Sequence, residues 1–215
     1  MPTIKVKSCN LPSTIVRAVV PGLPAGNWTV RGQPVDLFPC SQDSQGNPDS
    51  TEVAFPASLV SDQPYLVFDL VNNNSALSSA PPDYLQDPIL LAFETSEIVI
   101  VAQDGSRYSF KPGTAAKKVL KTGQHVATIR YWARSTTDTG VPGLGIHVYA
   151  TIRSDGLIRV GLRINNGNIQ PNGSGVLGNF FLSKIYWKLP QGFALKEDAA
   201  RPYYTFDAAE NAFIL

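Results

Sequence analysis

The sequence predicts an all-β protein, an antiparallel β-barrel or sandwich with long loops. Three observations lead there. Apolar and polar residues alternate with a period of two along much of the chain, as in half-buried strands, and no helical stripe runs beyond two turns. Gly and Pro occur 17 times each and gather with Asn, Asp and Ser between the alternating segments, where their backbone preferences favour turns. Two Asp-Gly pairs, Asp104-Gly105 and Asp155-Gly156, stand between such segments where hairpins turn.

Taken in order, the clearest strands are Tyr65 to Val71, Glu97 to Gln103, Arg107 to Phe110, His125 to Arg134, Gly145 to Arg153, Leu157 to Ile164 and Phe180 to Leu189. Between them, Ser41 to Thr51, Asn72 to Asp83, Ser135 to Gly143 and Asn165 to Gly178 have loop composition. Loops of that length in a compact domain are commonly functional or held by a partner. No repeat of fixed period suggests a solenoid or propeller.

The hairpin within RSDGLIRVGLRINNGN can be registered by parity, because residues paired across an antiparallel ladder share a face. A loop of Asp155-Gly156 alone would set Ile152 opposite Arg159 and mix the two faces. A loop of Ser154-Asp155-Gly156, with Gly156 left-handed, pairs Ile152 with Ile158, Ala150 with Val160, Val148 with Leu162 and Ile146 with Ile164. The other face then carries Thr151 with Arg159, Tyr149 with Gly161 and His147 with Arg163. At the Asp104-Gly105 hairpin, either Val99 and Val101 or Ile98 and Ile100 can face Tyr108 and Phe110. A strand apolar on both faces is a central, covered strand.

The chain has 215 residues, in the range of one large all-β domain that buries about 70% of its unfolded surface. The expected layout is a single domain over 1–195 and a C-terminal tail over 196–215. Charged residues make up 16%, against roughly 25% in typical soluble domains, and the net charge is +1. With basic residues scattered singly apart from Lys117-Lys118, no field gathers phosphates, so nucleic acid is not an expected partner. The longest apolar runs, Ile89 to Phe93 and Ile98 to Ala102, are far short of the about 20 residues that a membrane helix needs. The first residues lack the apolar core of a secretory signal, and Cys9 and Cys40 are expected as free thiols.

The run KKVLKTGQHVATIRYWAR, then GLGIHVYATIRSDGLIRVGLRINNGN, then GVLGNFFLSKIYWKLPQGF resembles the N-terminal RIFT-related β-barrel domain of the rhamnogalacturonan exolyase-like family over roughly residues 95 to 195. The features that carry it are Arg130, the hairpin from Gly145 to Ile164, Asn165 with Asn166, and Lys184 to Pro190. Alternating strands of this kind also occur in galactose-mutarotase-like sandwiches. In the resembled family, cleavage belongs to a helical toroid downstream of the barrel, so the resemblance implies a fold and no catalytic residue.

Candidate sites follow from residue chemistry. His125 and His147 are the two histidines, and neither stands near a nucleophile motif. Glu94 and Glu97 are a close pair of carboxylates. The Asp-Gly turns lack the further oxygen ligands of a calcium loop, so no metal or cofactor is expected. The polar face bearing His147, Tyr149, Arg159 and Arg163 could hold a glycan or an acidic peptide, Tyr149 as a stacking platform and the arginines as hydrogen-bond forks. Tyr203, Tyr204, Phe206, Phe213, Ile214 and Leu215 make the tail apolar enough to need a packing surface, on a partner or on the barrel.

The expected function is therefore a non-enzymatic subunit of a larger assembly, a homo-oligomer or a virion component of a tailed bacteriophage such as a tail, adaptor or decoration protein. Virion neighbours are its expected partners and the virion its expected location, without a membrane. A carbohydrate-binding module for acidic polysaccharide is the alternative, and a polysaccharide-active enzyme stands third.

Overall fold

The computed structural model describes residues 1–45, 48–73, 80–133, 144–166, 181–194 and 205–215. The first strands are β1 (Thr3–Lys7), β2 (Thr14–Pro21), β3 (Trp28–Val30), β4 (Gln33–Pro34) and β5 (Asp36–Gln42). They are followed by β6 (Pro48–Ala57), β7 (Tyr65–Asp69) and β8 (Val71–Asn72), then a short helix, α1 (Pro88–Phe93). After it come β9 (Glu97–Ala102), β10 (Arg107–Phe110), β11 (Ala116–Thr122), β12 (Val126–Ala133), β13 (Leu144–Arg153) and β14 (Ile158–Asn166). The last strands are β15 (Leu182–Lys188), β16 (Thr205–Asp207) and β17 (Ala212–Ile214).

The protein is all-β, with sheets ordered β1-β7, β2-β6-β5, β4-β3-β8, β11-β12-β13-β14 and β10-β9-β15-β17-β16. Among the described residues no sheet closes on itself, so the barrel form of the expectation is not met and an all-β sandwich is the consistent alternative. No described helix is long and apolar enough to cross a membrane.

The chain divides into two compact units. Unit 1 holds Met1–Tyr84, Leu120–Thr128 and Thr151–Ile158, and unit 2 holds Leu85–Val119, Ile129–Ala150 and Arg159–Leu215. In unit 1 the core gathers Ile4, Val16, Leu23, Trp28, Val53, Phe55, Phe68 and Leu70, with the rings of Phe55 and Phe68 edge to face at 5.3 Å. In unit 2, Asp87 caps α1 by accepting the Ile89 N–H at 2.8 Å, and Pro88 fits the first helical position because its missing N–H would have no partner there. The helix presents Phe93 to Tyr131, at 6.1 Å between ring centroids, and to Trp187, at 6.4 Å.

The β13–β14 hairpin turns as the parity of its strands requires. The Arg153 N–H donates to Leu157 O at 3.0 Å, Gly156 has φ of 80°, and the loop is Ser154-Asp155-Gly156. A Cβ placed on Gly161 would lie 3.9 Å from Tyr149 Cβ, and one on Gly145 3.5 Å from Asn165 Cβ, as the predicted pairing demands. The second hairpin also uses a three-residue loop, with Gly105 at φ 85°, and its register sets Ile100 opposite Tyr108 and Ile98 opposite Phe110. β9 lies between β10 and β15, in the central place expected of a strand apolar on both faces.

The N-terminal strands run through stretches where prolines break the alternation. Pro48 opens β6, Pro56 pairs with Ile15, and the β5–β6 register shifts after Pro39, as fits residues that cannot donate to a ladder. β5 and β6 take both ends of the expected loop from Ser41 to Thr51. The expected loop Ser135 to Gly143 and most of Asn165 to Gly178 lie outside the described residues, as does Phe180. Of the tail, Tyr203 and Tyr204 also lie outside them. Residues 205–215 pack on their own chain: β17 pairs with β15, setting Phe213 opposite Trp187, and the Leu215 N–H donates to Ile185 O at 3.0 Å. Phe206 stacks edge to face on Phe213 at 5.2 Å yet stays half exposed, while Ile214 and Leu215 are partly buried. Cys9 and Cys40 are free and exposed.

Candidate functional site

The candidate site is the polar face of β12, β13 and β14 within unit 2. Strand parity builds it. On the opposite face Ile129, Tyr131, Leu144, Ile146, Val148 and Ala150 are all at most 1% exposed, so the alternate residues must face away from that core. Those residues are Arg130 and Trp132 on β12, His147 and Tyr149 on β13, and Arg159, Gly161 and Arg163 on β14.

Of the four side chains expected on this face, His147 and Tyr149 are half-buried, while Arg159 and Arg163 are exposed. His147 sits in register with Arg163 and Tyr149 with Gly161, whereas Arg159 lies further along β14, opposite Thr151. Arg163 Nε donates to Asn165 Oδ1 at 2.9 Å. Sequence reasoning did not place Arg130 and Trp132 here, although the parity argument used for β13 and β14 would have done so for VATIRYWA. The Arg130 guanidinium carbon lies 5.1 Å from the Trp132 ring centroid, a cation–π contact, and its Nη2 is 2.9 Å from His147 Nδ1. A guanidinium only donates, so this hydrogen bond requires His147 Nδ1 to be unprotonated. The buried Nε of Arg130 has no hydrogen-bond partner. Beside Trp132 lies a cavity of about 290 Å³, lined by Tyr108, Phe110, Lys111, Thr114 and Ile146 among others. The face thus offers arginine donors and flat rings, which suits an anionic or sugar-like ligand.

The other ionisable residues are tied to structural partners. His125 Nε2 lies 3.1 Å from Pro34 O. Asp36 is buried, and its carboxylate accepts the backbone N–H groups of Gln124, His125 and Val126 at 2.6, 2.7 and 3.0 Å. Glu94 Oε1 accepts from Tyr131 Oη at 2.8 Å and Lys117 Nζ at 2.7 Å. Burial, reinforced by the Glu94 carboxylate, holds the Tyr131 phenol well above its ordinary range. Glu97 instead accepts from the Ser109 hydroxyl and lies 3.7 Å from Lys188, so the two neighbouring glutamates serve different contacts. Burial opposes the charge on Glu52, but hydrogen bonds from Lys121 and Arg17 outweigh it and lower its pKa. Asp155 is likewise lowered against the cost of burial, by Arg153 and by the Ile15 N–H at 3.1 Å.

Compared with known proteins, no family model, curated protein or solved structure matches this chain.

Proposed function

We propose that this chain is a non-enzymatic structural subunit of a larger assembly, joined to its neighbours through strand edges. The observation that carries the reading is the chemistry of those edges. Monomeric proteins blunt edge strands with charge or cover them. Here β2, β7 and β16, each at the end of its sheet among the described residues, expose Val19, Tyr65 with Val67, and Phe206, whereas the end strand β11 carries Lys117, Lys118 and Lys121. Tyr65 and Val67 lie two residues apart on one strand and so share a face. The partnered carboxylates support a structural reading too, because Asp36, Glu52, Glu94 and Asp155 each hold contacts within the fold. Within this reading, we favour a virion component of a tailed bacteriophage, supported by the low charged fraction and the lack of a recognised catalytic motif in the sequence.

Sedimentation velocity on the full chain tests it. A discrete oligomer is expected, and Val67→Lys should weaken association at least about tenfold by placing a charge where the assembly would bury an apolar side chain. A chain that sediments as a monomer up to about 100 µM, with the variant indistinguishable from it, would remove self-assembly from the proposal.

A second reading, a module for acidic polysaccharide, is favoured by Arg130 stacked on Trp132 on the same face as Tyr149. Arg159→Ala and Arg163→Ala should each cost about 1 to 3 kcal/mol of affinity for polygalacturonate, measured by affinity electrophoresis. Unchanged retention would leave this face a solvated wall.

A further inference from the structure

We infer that the open edge of β14 is a docking site for an extended acidic segment of a partner protein, which joins the sheet as a further strand. The inference rests on the assembly reading and names the chemistry of one contact.

β14 is a terminal strand of the order β11-β12-β13-β14, so among the described residues its outer backbone groups have no ladder partner. Parity identifies them. N–H and C=O groups alternate sides along an antiparallel strand. The bond from Arg153 N–H to Leu157 O therefore turns the backbones of Leu157, Arg159, Gly161 and Arg163 toward β13. The groups left facing outward belong to Val160, Leu162 and Ile164.

The apolar side chains of the same three residues form the incomplete margin of a core. On β13, Leu144, Ile146, Val148 and Ala150 are at most 1% exposed, whereas Val160, Leu162 and Ile164 are only partly buried. One more strand would carry apolar side chains against that margin and pair the outward backbone groups.

The other face sets the charge of the partner. Arg159 and Arg163 are exposed and have no carboxylate partner among the described residues, and Arg130 and His147 add donors on the neighbouring strands. Two β14 edges paired about Gly161 would set Arg159 against Arg163, a like-charge clash that opposes a second copy in that register. The same arginines select acidic residues opposite them. The partner segment therefore has acidic residues opposite Arg159 and Arg163 and apolar ones opposite Val160 and Leu162. Between them, a bulky side chain can lie over Gly161, beyond which the nearest heavy atom is Tyr149 Cβ.

The test is fluorescence anisotropy with the full chain and a labelled, end-capped peptide of alternating Glu and Val. Binding is expected, and loss of at least about tenfold in affinity in the Arg159→Glu/Arg163→Glu variant, which should instead prefer a Lys and Val peptide. N-methylation of the peptide amides that would enter the ladder should abolish binding to the unaltered chain, an arm that needs no folded variant. No binding of the Glu and Val peptide overturns the inference. Binding that survives N-methylation and is displaced by polygalacturonate also overturns it, and identifies a face for polyanionic glycan. If the peptide fails while the chain still self-associates in sedimentation, only this inference falls and the assembly reading stands.

Discussion

Asp36 shows how one residue can govern a turn. Its carboxylate gathers three consecutive N–H groups at the start of β12, and the chain approaches it so closely that a Cβ on Gly123 would sit 2.3 Å from Asp36 Cγ. Gly123→Ala must push the carboxylate aside and leave buried donors and a buried charge without partners. It is expected to lower stability by about 3 kcal/mol in urea unfolding, and a loss under about 0.5 kcal/mol would show that the turn relaxes around the methyl group. Neither residue drew attention in the sequence, because Asp36 and Gln124 stand 88 residues apart and nothing local marks an aspartate that will be surrounded by amides. Trp132 and Arg130 were legible by contrast. Their alternation with Ile129, Tyr131 and Ala133 assigns them to the polar face by the rule that assigns Tyr149 and Arg163.

At the scale of elements, the hairpins were the most legible part of the fold. A single glycine with positive φ and the demand that apolar residues share a face are enough to register β13 against β14. The β9–β10 hairpin needed the structure, because β9 is apolar on both faces and parity could not choose between its two sides. The first six strands were not legible: several are short, and prolines interrupt the period on which strand reading depends. β11 escaped for another reason. Nearly every residue from Ala116 to Thr122 is exposed, so it has no buried face to leave an alternating signature. The candidate face followed the same rule: its β13 and β14 members came from the hairpin, and its β12 members follow from the alternation within that strand.

For the whole molecule, the carboxylates that brace it set its response to acid. Asp155 and Glu52 have folded pKa values below those of the unfolded chain. Their contribution is therefore present above the unfolded values of about 4 and is lost as pH falls through the lower folded ones. The urea midpoint should hold steady near neutrality and fall from about pH 4 downward, and Asp155→Asn should lower it at pH 7 and flatten the acid limb. An unchanged acid limb in that variant would show that Asp155 does not contribute. Tyr131 acts at the other extreme: its raised pKa favours the folded state below the unfolded value of about 10, and the benefit is lost as pH climbs through the folded value. The same braces bear on how the protein is made. Unit 1 draws on three separate stretches, the last ending at Ile158, and Asp155 ties that stretch to Ile15, 140 residues earlier. As the chain emerges from the ribosome, the first 84 residues must wait through the synthesis of much of unit 2 before their own unit can close. Their exposed apolar strands are then unfinished surface for that whole interval, and holding them apart becomes work for whatever meets the nascent chain.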